Sequence, residues 1–149
     1  MKTIATAVCA AIISLSSVTF ALAQGAPSKA GAKQYFVNLK DGDTVSSPLT
    51  VIFGLSGMGV APAGIDKANT GHHHILINRA PLGKGEGGAD EFKDAIPADE
   101  NHVHFGGGQT EKTLKLAPGK YTLQLVLGDK DHIPHNPPVA SEVITITVK

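Results

Sequence analysis

The segment Gly71-His72-His73-His74-Ile75-Leu76-Ile77 constrains the fold more than any other part of the chain. Three consecutive imidazoles run straight into an apolar, β-branched stretch, which is strand chemistry. In a strand, successive side chains point to opposite faces. His72 and His74 therefore share one face, and His73 shares the other with Ile75 and Ile77. Two imidazoles at i and i+2 on a rigid strand make half of a metal site. Histidines recur in His102-Val103-His104 and in His132-Ile133-Pro134-His135, so that all seven fall between positions 72 and 135. The rest of the chain reads as a scaffold that brings these three clusters together.

The scaffold reads as all-β. Tyr35 to Leu39 is a first strand, closed by a turn at Lys40-Asp41-Gly42-Asp43, where Asp-Gly supplies the positive φ of a tight turn. Leu49 to Leu55 alternates, with Leu49, Val51, Phe53 and Leu55 on one face. Thr113 to Leu116 and Lys120 to Leu127 read as a hairpin around Ala117-Pro118-Gly119, with Pro and Gly at the central positions of a type II turn. Tyr121, Leu123, Leu125 and Leu127 form one face of its second strand. Glu142 to Val148 closes the domain. Gly57 to Thr70 and Arg79 to Asn101 are long loops, the second acidic and Gly-rich, with Asp90 to Ala95 long enough for one helical turn. About seven short strands with turn signals between them predict an antiparallel, immunoglobulin-like β-sandwich, with a small β-barrel as the alternative.

Ahead of this domain, Met1-Lys2 begins positively, Ile4 to Leu22 is largely apolar, and Ala21-Leu22-Ala23 fits small-x-small cleavage. Residues 1–23 therefore read as a secretory signal peptide, 24–34 as a flexible leader and 35–149 as the single domain. The expected location is the periplasm or the exterior. The lone Cys9 lies inside the signal, so the exported chain has neither disulfides nor thiolate ligands. It keeps 12 basic and 13 acidic residues, since only Lys2 is lost. That balance gives no electrostatic case for nucleic acid or anionic lipid. The absence of Trp argues against a stacking platform for bases or sugars.

What remains is nitrogen ligation. Neutral imidazole suits copper(II) and zinc. The candidate metal residues are His72, His74, His102, His104, His132 and His135, with Asp129 or Asp131 as a possible carboxylate partner. His73, on the apolar face, suits packing better than ligation, and His132 or His135 could instead cap a loop. The reading is a metal-binding protein, for copper first and zinc second, serving buffering, delivery or sequestration. One alternative is a non-catalytic envelope module that binds another protein through the long loops. A second is a metalloenzyme, dismutase-like or hydrolytic, by loose architectural analogy with copper-zinc superoxide dismutases. Arg79 could steer an anion in that case.

Three motifs carry a closer resemblance. These are Thr70-Gly71-His72-His73-His74, the run Ile96-Pro97-Ala98-Asp99-Glu100-Asn101-His102-Val103-His104-Phe105-Gly106-Gly107-Gly108-Gln109-Thr110-Glu111, and Leu116 to Asp129. Over nearly all of residues 35–149 the chain resembles a family of small secreted bacterial domains, domain of unknown function 4399. The resemblance implies an exported, single-domain bacterial protein and supplies no activity.

Overall fold

The computed structural model describes residues 24–149, and the expected signal peptide lies outside them. Among the described residues nine strands form: β1 (Lys33–Phe36), β2 (Thr44–Val45), β3 (Leu49–Ser56), β4 (Gly59–Val60), β5 (Thr70–Ile77), β6 (His102–His104), β7 (Glu111–Leu114), β8 (Gly119–Gly128) and β9 (Ile144–Val148). They make two packed sheets with no barrel closure. The smaller has the order β1-β3-β7 and the larger β2-β9-β8-β5-β4, with β6 also on β5. Pairing is antiparallel except for two short parallel ladders, β2 with β9 and β4 with β5. One edge of β5 is taken by β8; the other is shared by β4 at its start and β6 at its end.

The alternation read from the sequence sets the core. Val51 and Phe53 of β3 meet Ile75 and Ile77 of β5, Leu123 and Leu125 of β8 and Ile146 of β9 between the sheets. Thr50, one step out of phase, is exposed. The outer face of the larger sheet is also covered. Leu76 and Val126 pack there with Ile96, flanked by Leu82 and Ala140 from the long loops. The molecule is thus layered as small sheet, large sheet and loops. This explains why Gly71 to Ile77 is buried throughout: a strand covered on both faces loses the exposed half of its alternation. Leu125 has no exposed surface. Leu125→Ala is expected to lower stability by about 3–4 kcal/mol through lost burial and the cavity left behind. Urea denaturation reads this directly; a loss under about 1 kcal/mol would place Leu125 outside a close-packed core.

Three expectations change. Thr113–Leu116 and Lys120–Leu127 are not a hairpin: β7 pairs with β3 in the small sheet, while β8 pairs with β5 and β9 in the large one. Ala117-Pro118 is a corner between sheets, pinned by the Tyr121 hydroxyl donating to the Ala117 carbonyl at 3.0 Å. Alternation has the same period whichever sheet a strand joins, so it could not separate a corner from a hairpin. The helical turn expected at Asp90–Ala95 is a 3-10 turn at Gly88–Phe92. The segment read as a flexible leader is packed at its start. The Ala26 and Ser28 backbones bond Asn136 on either side, and the Ala26 amide donates to Asp129 Oδ2 at 2.9 Å. Gly25 permits this approach, because a Cβ there would lie 1.8 Å from the Pro134 carbonyl oxygen.

Candidate metal centre

Local rules and one register bring the imidazoles together. Alternation along β5 sends His72 and His74 to the outer face of the large sheet. Antiparallel pairing sets His104 of β6 directly opposite His74. The loop after β8 then returns His132 over the same spot. Asp129 shapes that loop: its Oδ1 accepts from the amides of Asp131 at 2.9 Å and Ile133 at 3.0 Å. The His132 amide donates to the Asp129 carbonyl at 3.0 Å, and the His132 carbonyl accepts from the Ile96 amide at 2.9 Å. His132 sits at φ 70°, in the left-handed region, which is uncommon for residues with a Cβ although Asn, Asp and His enter it more readily than most.

The four rings converge by their Nε2 atoms. His72 Nε2 and His74 Nε2 are 3.0 Å apart, and His104 Nε2 and His132 Nε2 are 3.1 Å apart. His72, His74 and His104 each offer a ligand atom, all within 4.8 Å of one another, a set that could hold a metal ion. Burial, then the neighbouring imidazoles, push the His72 pKa down to about 4 and that of His74 down to about 2. The same causes lower that of His104. At neutral pH His72, His74 and His104 are therefore uncharged, with lone pairs available. The Nδ1 atoms of His72 and His74 are buried without a hydrogen-bond partner.

The family model described as Domain of unknown function (DUF4399) matches residues 51–149. The chain belongs to the DUF4399 family. No curated protein and no solved structure matches it. The matched span runs from within β3 to the last residue and contains every histidine, while β1, β2 and the packed segment before them precede it.

Within the DUF4399 domain the other candidates lie elsewhere. His102 is opposite Leu76, two residues along the ladder from the His74–His104 pair, or roughly 7 Å at strand rise. Its Nδ1 is 2.7 Å from Asp99 Oδ1 and its Nε2 is 2.6 Å from Arg79 Nη1. Arg79 also pairs with Glu91, so its guanidinium is held between them rather than aimed at the cluster. His135 is bound at Nδ1, 3.0 Å from the Ala26 carbonyl oxygen. Its Nε2 lies beside Gly71, where a Cβ would come within 2.7 Å; Gly71 alternates with His72, so that is the face of β5 away from the cluster. His73 packs against the Phe53 ring at 5.2 Å between centroids and accepts from Gln34 Nε2 at 2.7 Å. Neither carboxylate considered as a partner is free for a metal. Both oxygens of Asp129 take backbone amides, and Asp131 pairs with Lys130.

One contributor escaped the sequence reading. Gly128 lies against the cluster, and a Cβ there would come within 2.8 Å of His74 Nε2 and 3.4 Å of the His132 Cα. A strand-end glycine is commonplace, so only the rings folded over it reveal why the position must stay bare.

Proposed function

We propose that this DUF4399 protein is an exported metal-binding protein of the periplasm or the exterior, which captures a copper or zinc ion for buffering, delivery or sequestration. One observation carries the reading: His72, His74 and His104 converge from two paired strands, with ligand atoms within 4.8 Å of one another. Imidazole nitrogen suits both ions. Burial and mutual repulsion keep the rings neutral, the form that binds. The Nε2 atoms face one another in pairs 3.0 and 3.1 Å apart, and a cation shared among their lone pairs would satisfy them together.

The test is metal content by mass spectrometry on untagged protein from the periplasm, with Cu(II) and Zn(II) titrations of the wild type and of His72→Ala/His74→Ala. The double variant is expected to lose more affinity than the about 10–100-fold typical of losing one outer-shell partner, while circular dichroism still reports a β fold. Equal affinity in the two proteins would sink the assignment. A wild type that takes up neither ion would favour a non-catalytic envelope module instead.

A further inference from the structure

Resting on that metal-binding reading, we infer that His132 is the fourth ligand of a closed, tetrahedral, four-imidazole centre whose geometry suits zinc(II) over copper(II). The argument is metric. A zinc-bound imidazole has its nitrogen at about 2.0–2.1 Å from the ion, so its ring centroid lies roughly 3.2 Å away. Four such rings at the corners of a tetrahedron have all six centroid separations near about 5.2 Å, whereas a square plane gives four near about 4.5 Å and two, across the diagonals, near about 6.4 Å.

The observed separations are 4.8 Å for His72–His74, 5.0 Å for His72–His104, 4.9 Å for His72–His132, 5.1 Å for His74–His104, 5.9 Å for His74–His132 and 4.6 Å for His104–His132. If the long His74–His132 vector were a diagonal, the other would be His72–His104, and at 5.0 Å that pair is far too close for a square. Two of the six nitrogen edges, the Nε2 pairs at 3.0 and 3.1 Å, are close to the tetrahedral edge of about 3.3 Å; the ligand atoms of His72, His74 and His104 lie within 4.8 Å of one another, so the rings draw inward as the ion binds.

The backbone supplies an independent reason to include His132. Its left-handed φ of 70° is held by the Asp129 turn and by the Ile96 amide, and this conformation sets the ring against His104. Copper(II) prefers tetragonal nitrogen sites, while zinc has no such electronic preference and takes a tetrahedron readily. Four protein ligands leave no place for a bound water, which makes the centre one that holds an ion rather than one that activates a nucleophile.

Co(II) is the probe, because its visible absorption is strong in a tetrahedral field and weak at higher coordination. The proteins are wild type, His132→Asn, which accepts the left-handed backbone, and His132→Ala. The wild type is expected to give the strong tetrahedral spectrum with one Co(II), displaced by Zn(II). Both variants should give a weaker, shifted spectrum and bind Zn(II) about 100-fold less tightly or worse, beyond the effect of outer-shell loss. A wild-type spectrum of five- or six-coordinate Co(II), or variants that match the wild type, would overturn the four-histidine closure while leaving the metal reading intact. A wild type that takes up neither Co(II) nor Zn(II) would overturn both.

Discussion

Acidifying the metal-free protein to pH 5 is expected to remove on the order of 6 kcal/mol of folding stability. The groups responsible are His72, His73 and His74, all without exposed surface. Burial pushes His73 down to about 4, and burial with neighbouring imidazoles pushes His72 to about 4 and His74 to about 2. In the unfolded chain each titrates near 6.5. Above that pH both states are neutral and the shifts have no effect. Below it the unfolded chain takes up protons that the folded chain refuses, so stability falls with pH until the folded values are reached. At pH 5 the difference is about 2 kcal/mol per histidine. A small domain holds about 5–15 kcal/mol in all, so the metal-free fold should be near its limit there. Urea midpoints measured from pH 8 to pH 4.5 test this. A flat profile would mean that the three imidazoles are not buried neutral.

Saturating zinc is expected to act in the opposite direction and nearly as strongly. An ion that binds only the folded state at 1,000 times its Kd adds about 4 kcal/mol. For a domain of this size that raises Tm by roughly 10–20 °C. Excess EDTA should return the melting curve to its starting point. The effect depends on the ligands being assembled by the fold, since His72 and His104 are brought together only when β5 and β6 pair. Calorimetry with and without zinc measures it. Demonstrated binding with no rise in Tm would mean that the ion holds the unfolded chain equally well.

The sandwich and the division of the triple histidine between two faces were legible because alternation is local. Each residue of β5 has only to follow its neighbour, and Ile75 and Ile77 identify the core side. The choice between His102 and His104 was not legible. Both lie on the same face of β6, and only the pairing of His104 with His74 decides which one joins the cluster. His132 and His135 were equally indistinct. Three residues apart with Pro134 between, they diverge because the loop turns at Asp129 and then runs back along Ala26. That contact joins residues more than a hundred positions apart, beyond any local pattern. The same distance hid the packing of residues 25–28, whose small-residue composition describes a flexible segment and a closely docked one equally well.

The outer cluster and the inner core are written on consecutive residues of one strand. If β5 slid by one residue against β8, His73 would enter the outer cluster, while His72 and His74 would be pushed among Phe53 and Phe105. Loss of one of the two histidines contributed by β5 would break the four-ring set, so only the native alignment can retain the proposed ion. Metal occupancy would then serve as a proofreading signal for this sheet, separating correctly threaded molecules from misaligned ones that differ little in overall strand content.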